Sequence, residues 1–162
     1  MIYSRIFIIA LIGADALSKY IAIKFLSGQG MVEIVPGLLG LRYVTNTGAA
    51  FSFLSGGTFF LIIFTGIGLL FIGWYVFIKK AVRGFEKFSL ILIFSGGIGN
   101  LIDRVFRGFV VDYFDFLFMK FAVFNLADVY VCTGVAMYVA RVIYSEYIKK
   151  GDSVGKNSAD CY

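Results

Sequence analysis

Residues Thr58 to Ile78 read TFFLIIFTGIGLLFIGWYVFI, a run without one charged side chain. A helix needs about 20 such residues to cross the hydrocarbon core of a bilayer, so this run is long enough to span it. Upstream, the 36 residues between Arg42 and Lys79 carry no charge at all. That is too long for one straight span, and Gly56-Gly57 divides it into a polar-dotted approach and the span itself. Working outward, the same criterion finds spans from Ile6 to about Phe25, from about Phe88 to Ile102 and from about Phe124 to Tyr144. Asp103-Arg104 closes the third, and Asp128 sits in the first turns of the fourth. The chain is 60% hydrophobic and only 15% charged. Soluble domains run nearer 45–50% and about 25%, so much of this apolar surface must face lipid. The expected fold is an all-α membrane protein of four transmembrane helices.

Basic residues set the orientation. Lys79, Lys80, Arg83 and Lys87 follow the second span, and Lys149, Lys150 and Lys156 follow the fourth. The other two connections are close to charge-balanced. The positive-inside rule then places both termini and the middle loop in the cytoplasm, and residues of about 27–57 and 103–123 on the far side. In the first of these outer segments, Val32-Glu33-Ile34-Val35 and Leu38 to Val44 flank Pro36-Gly37. Two β-prone runs around such a turn predict a small hairpin at the membrane surface. Residues 1–148 form the expected membrane domain, and 149–162 a polar, disordered cytoplasmic tail. The first span has no small-x-small cleavage site after it and reads as retained. No internal repeat suggests the inverted halves of a transporter.

Composition also excludes chemistry. The chain has no histidine, which removes Ser-His-Asp and Cys-His catalysis and any zinc site built on imidazole. Cys132 lies in an apolar run and Cys161 in the tail, so neither a disulfide nor a CxxC site is expected; Cys132 reads as a small helix residue. The net charge of +5 is concentrated at the ends of spans, which points to topology rather than to a nucleic-acid partner.

Ionisable groups at membrane depth cost about 2.5–3.5 kcal/mol on insertion scales and so tend to be functional or paired. Asp15 and Lys19 stand one turn apart in the first span and predict an i,i+4 ion pair, with a structural role as the plain reading. Gly96-Gly97-Ile98-Gly99-Asn100-Leu101-Ile102-Asp103-Arg104 has no strand before it, so its glycines predict close helix contact rather than a dinucleotide loop. Asn100 and Arg104 share a helix face there and suit a peptide carbonyl or a carboxylate. Asp112, in Val110-Val111-Asp112-Tyr113, and Asp128, in Phe124-Asn125-Leu126-Ala127-Asp128, lie at similar depth near the outer interface. If the 15 residues between them loop back, the two carboxylates meet. Such carboxylates about 3 Å apart share one proton, and the pair can split a peptide bond with water. Spacing alone leaves other pairings open: Asp103 with Arg104, and Asp115 as a solvated charge.

Five blocks in order give this chain a resemblance to signal peptidase II, the lipoprotein signal peptidase of bacteria. They are Asp15 with Ser18-Lys19, Asn46-Thr47-Gly48-Ala49-Ala50-Phe51-Ser52, Gly97 to Arg104, Val110 to Tyr113, and Phe124 to Asp128. The resemblance implies an aspartic endopeptidase with Asp112 and Asp128 as catalytic residues. It implies that Asn46, Asn100, Arg104 and Asn125 line the site and hold substrate backbone, and that Asp15 supports the structure. It further implies four helices with a small extracytoplasmic β element and an outer loop over the site. The implied substrate is a diacylglyceryl-modified prolipoprotein, cut just before the lipidated cysteine in the bacterial cytoplasmic membrane at its extracytoplasmic face. No metal or organic cofactor is implied, and globomycin-type inhibitors are. Membrane lipid is the expected surroundings, and a monomer the simplest state. The loop between the two aspartates is short for this family, which bears on the shape of the flap over the site. The 19 Phe and ten Tyr read mostly as lipid-facing or interfacial anchors.

Two other classes compete on the residues alone. A transporter or channel would use Asp15, Lys19 and Asp128 as an ion relay and would show flux in proteoliposomes. A scaffold would use the polar residues only for packing and would tolerate single Asp to Asn changes.

Overall fold

The computed structural model describes residues 2–48, 57–79, 82 and 84–159, with side chains of the last helix as far as Tyr147. Residues 49–56, with Ala49 to Ser52 of the second block and the division at Gly56, lie outside the described residues, as do Lys80, Arg83 and Cys161. Helix α1 runs Ile2–Leu26, α2 Thr58–Gly73, α3 Gly84–Arg107 and α4 Leu126–Ala159. Between α1 and α2 lie strands β1 (Val32–Val35) and β2 (Leu39–Asn46), and between α3 and α4 lies β3 (Val110–Phe116). Among the described residues four helices are long and apolar enough to cross a membrane. The fold is that of a multi-pass membrane protein with a small sheet at one end of its bundle.

The span α2 matches its expected start and widens at its end, where Trp74–Ile78 forms a π-helical turn closed by Lys79 N–H donating to the Trp74 carbonyl at 3.2 Å. Helix α3 extends well beyond Phe88–Ile102. Asp103 and Arg104 do not end it, because Asp103 is taken up inside the bundle by Lys19 of α1 at 3.1 Å. Its carboxylate also accepts from Arg107 Nε at 3.3 Å, one turn further on, so its partners are Lys19 and Arg107 rather than the Arg104 that spacing left open. Helix α4 passes residue 148 without a break, so the polar tail is set off from the membrane part by composition rather than by a change of backbone.

Helix α3 is the hub. Half of its apolar window is covered by protein, against 11% for α2 and for α4, and α1, α2 and α4 all pack on it. Its small residues allow this. A Cβ on Gly96 would run into the Ala127 carbonyl of α4, and one on Gly134 of α4 would meet the Ser89 carbonyl at 2.6 Å. The two backbones therefore touch, as the glycine-rich run predicts. Outward faces keep large side chains such as Phe60, Phe64 and Leu70 exposed, as lipid contact requires.

At the other end from the α2–α3 connection, the hairpin forms as expected. Pro36 and Gly37 fill its turn, Gly37 at φ 68°, and Leu38 N–H reaches back to the Val35 carbonyl at 3.0 Å. This is the arrangement that Pro followed by Gly favours. The sheet has a third strand, β3, where the sequence predicts only an apolar segment. It pairs antiparallel with β2, Val44 facing Asp112 and Asn46 facing Val110, in the order β1-β2-β3. Ala22 and Leu26 at the end of α1 pack with Val111 and Tyr113, seating the sheet on the bundle. Arg42 holds Asp115 at 2.9 Å, and Asp115 is buried rather than solvated.

The α3–α4 contact makes a direct prediction. Gly96→Ala should lower stability by about 1–3 kcal/mol, the usual effect of forcing a methyl into a filled interface. Gly66→Ala, where nothing lies within 4 Å of the new carbon, should stay within about 0.5 kcal/mol of the parent. Thermal unfolding in detergent measures both, and equal effects would contradict the packing described.

Candidate active site

The site forms where the bundle meets the sheet. Asp112 lies in the middle of β3 and is 2% exposed. Its Oδ2 accepts from Asn46 Nδ2 at 2.9 Å and its Oδ1 from Asn125 Nδ2 at 2.6 Å. Asn46 reaches it because it stands two residues beyond Val44, the cross-strand partner of Asp112, on the same face of the sheet. Asn46 is itself fixed by Gly48 N–H, which donates to its Oδ1 at 2.9 Å.

Asp128 enters from α4. Asn125 precedes the helix and accepts from Asp128 N–H at 3.0 Å, while Asp128 Oδ2 accepts from Asn125 N–H at 3.1 Å. This reciprocal pair is a capping box with Asn and Asp in the roles usually taken by Ser and Glu. It fixes both side chains at the helix N-terminus, where negative charge is favoured. Asp128 Oδ1 accepts from Asn100 Nδ2 of α3 at 2.7 Å.

Asn125 therefore touches both aspartates. Its amide donates one N–H to Asp112 and another to Asn100 Oδ1 at 3.2 Å. Asn100 Oδ1 also accepts from Lys19 Nζ at 2.9 Å. The Asn125 side chain has both hydrogens and its oxygen engaged, whereas Asn100 gives one N–H to Asp128 and keeps one. Asn46 keeps one N–H beyond its bond to Asp112. Arg104 spends its guanidinium on the Gly48 carbonyl at 3.0 Å and the Asn100 carbonyl at 3.5 Å, and its buried Nε has no partner among the described residues.

Behind this layer lies the ion cluster. Lys19 is 1% exposed and donates to Asp15 at 2.8 Å, to Asp103 and to Asn100. The predicted Asp15–Lys19 pair is present, and it does more than lower an insertion cost. Asp15 Oδ1 also accepts from Ala127 N–H at 3.0 Å, in the first turn of α4. A side chain on Gly99 would occupy the place of the Asp15 carboxylate. Tyr113 O–H donates to Ser18 Oγ at 2.7 Å, tying β3 to α1. Sequence reasoning passed over Tyr113 and left Asp103 as a local pair. The only signal for either was an ionisable or hydroxyl group inside an otherwise apolar run.

Asp112, Asp128, Asn46, Asn100 and Arg104 open on one cavity of about 490 Å³. Its other wall is apolar, with Val110, Phe116, Phe121, Phe124, Val129 and Cys132. Phe124 turns the chain back by pairing with Phe114, and Phe116 sits 5.0 Å from Phe124 and 5.8 Å from Phe121, ring centre to ring centre. The short loop between the aspartates thus folds over the site as an aromatic cluster. Burial pushes the Asp112 carboxyl up to about 6, with the neighbouring Asp128 charge adding to the rise; the Asn46 and Asn125 donors act against it. The donors around both carboxylates are neutral amides, which orient them without supplying a compensating charge.

Two acidic side chains on one cavity, Asp112 buried and Asp128 half-buried, at the end of a four-span bundle define the class: a multi-pass membrane protein with two carboxylates on one cavity. Residues 7–144 match the family model described as Signal peptidase (SPase) II. The chain is 42% identical over 146 residues to a lipoprotein signal peptidase of Clostridioides difficile (strain 630), covering 90% of this chain and 97% of that protein. It is 42% identical over 137 residues to a lipoprotein signal peptidase of Streptococcus thermophilus (strain CNRZ 1066), covering 82% and 86%. Two solved structures titled as bacterial membrane enzymes superpose with TM-scores of 0.81 and 0.78, each at 32% identity. They cover 90% and 88% of this chain, and 90% and 93% of their own. The chain belongs to the signal peptidase II family, and so to the membrane proteases.

Removing the Asn46 donor should raise Asp112 further, because that bond favours the ionised form. An infrared pH titration of the carboxylic C=O band is predicted to place the Asp112 transition near 6 in the parent and higher in Asn46→Leu. A fall on substitution would contradict the assigned cause.

Proposed function

We propose that the chain removes signal peptides from diacylglyceryl-modified prolipoproteins by aspartic hydrolysis, cutting just before the lipidated cysteine. The observation that carries this is that Asp112 and Asp128 line one cavity and are both bonded by Asn125, Asp112 by its side-chain amide and Asp128 by its backbone N–H. One carboxylate is ionised and takes a proton from water as the water oxygen attacks the scissile carbonyl carbon. The other, protonated, hydrogen-bonds to the carbonyl oxygen and transfers its proton as the tetrahedral intermediate forms. Collapse then breaks the C–N bond, the amine leaves with a proton, and the signal peptide departs as a carboxylate. Burial of Asp112 makes it the natural holder of the proton before attack. The two aspartates act as one titrating unit throughout.

The remaining residues divide by what they have left to offer. Asn46 and Asn100, each with a spare N–H, and Arg104, with its unpartnered Nε, hold substrate backbone. Asn125 is a positioning residue, Asn100 also orients Asp128, and Asp15 and Lys19 hold the helices that carry them. The apolar wall of the cavity accommodates the acyl chains, so the lipid stays beside the bundle while the peptide reaches the carboxylates. The sheet and the cavity face the extracytoplasmic side, and both termini the cytoplasm; the basic residues after the second and fourth spans support this orientation. Globomycin-type peptides compete for the same cavity, and the protein acts as a monomer without a cofactor.

Incubation of purified protein with a synthetic diacylglyceryl lipobox peptide, read by mass spectrometry, tests this. The parent should release a product beginning at the lipidated cysteine. Asp112→Asn and Asp128→Asn should each lose roughly a thousandfold or more in kcat, as removal of an essential acid or base does, at normal folded yield. Turnover by either variant at the parent's rate would refute the assignment.

A further inference from the structure

A second cavity of about 420 Å³ adjoins the first and shares Asn46, Asp112, Phe121, Ala122 and Val123 with it. Its remaining lining includes Arg42, Val44 and Lys120. Arg42, Val44 and Asn46 all reach this cavity from β2, whose pairing shifts register between Leu41 and Val44, and Asp112 enters it from β3 opposite Val44. The two cavities thus meet at Asp112, yet their chemistry differs. The first is walled by aromatic and aliphatic side chains toward α4, whereas the second has two cations over the sheet.

Neither cation is used up by the fold. Arg42 Nη2 is held by Asp115 Oδ2 at 2.9 Å, which aims the guanidinium, but the Arg42 side chain remains 49% exposed and its other donors stay open. Lys120 is exposed and makes no ion pair among the described residues. Of the side chains lining this cavity, Asp112 alone is acidic, and it belongs to the reacting pair.

We propose that this cavity is a subsite for the mature side of the substrate and selects an acidic residue one to three positions after the lipidated cysteine. The inference rests on the peptidase function proposed above. Acyl chains seated against the apolar wall put the cysteine beside Asp112. The chain beyond it then has one continuous polar route, across Asp112 and Asn46 and over the face of β2 past Arg42 and Lys120. A carboxylate placed there meets two cations, and an ammonium meets the same two as a repulsion.

The test is a competition in one tube between two diacylglyceryl peptides that differ only in carrying Asp or Lys two residues after the cysteine. A third peptide with Ser at that place is included, and the enzyme is in a zwitterionic lipid nanodisc at low salt. Competition reports the ratio of kcat/KM values whatever the fraction of active protein. The Asp peptide should be preferred over the Lys peptide by about fivefold or more, the scale expected of exposed ion pairs acting together. The preference should shrink with added salt, fall toward one in Lys120→Gln with Arg42→Gln, and invert in Lys120→Glu. Cleavage of all three peptides by the parent with a ratio near one, or a preference unchanged in the variants, overturns the subsite while leaving the peptidase function standing. Failure to cleave any of the three removes that function itself, and the subsite with it.

Discussion

Lys19 is an ammonium group with almost no access to solvent, in a helix otherwise able to cross a membrane. An uncompensated charge in that position is prohibitive, and removing one partner from a buried pair costs about 3–5 kcal/mol. Its three N–H bonds go to Asp15 on its own helix and to Asp103 and Asn100 on α3. The first two carry the charge, and the third does something else. With its oxygen turned to Lys19, Asn100 must present its amino group to Asp128. Asn125 then bridges what remains, from Asn100 to Asp112. The orientation of the acidic pair thus descends, bond by bond, from a single buried cation.

That chain of bonds needs close helices, and the glycines of α3 provide them. Gly99 leaves room for Asp15, and Gly96 lets the first turn of α4 lie against α3. The sheet completes the site from outside the bundle. Its third strand carries Asp112, Val111 N–H reaches Asp103 Oδ2 at 3.4 Å, and Tyr113 O–H is bonded to Ser18. Helix bundle and sheet are therefore joined through the same residues that form the ion cluster.

Much of this was legible beforehand, for reasons that can be given residue by residue. The spans show because lipid demands long apolar runs, and the hairpin shows because Pro36-Gly37 has one economical conformation. Asp112 and Asp128 could be paired by depth, and the resemblance to signal peptidase II selected them. What stayed hidden was set by tertiary partners. Asp103 looked like the end of α3, but Lys19, far away in sequence, draws it inward and the helix continues to Arg107. Asp115 looked solvated, but pairing with Arg42 buries it. Strand β3 was missed because Val110 to Phe116 is buried along most of its length, so it shows no alternation of apolar and polar residues. Asn100 and Asn125 are expected to line the site, and their bonds to Asp128 and to Asp112 are set by the fold and could not be read from the sequence. Sequence supplies the inventory of donors, and only the fold shows where each is used.

The account centres on a peptide bond brought between Asp112 and Asp128 at the edge of the bilayer. A structure of the Asp128→Asn variant with an uncut diacylglyceryl lipobox peptide addresses this most directly. The account predicts the scissile carbonyl in the cavity, within about 3 Å of Asp112 or of a water bonded to it, with the acyl chains against Phe116, Phe121 and Phe124. A peptide held on another face of the bundle, its scissile bond out of reach of both positions, would contradict it.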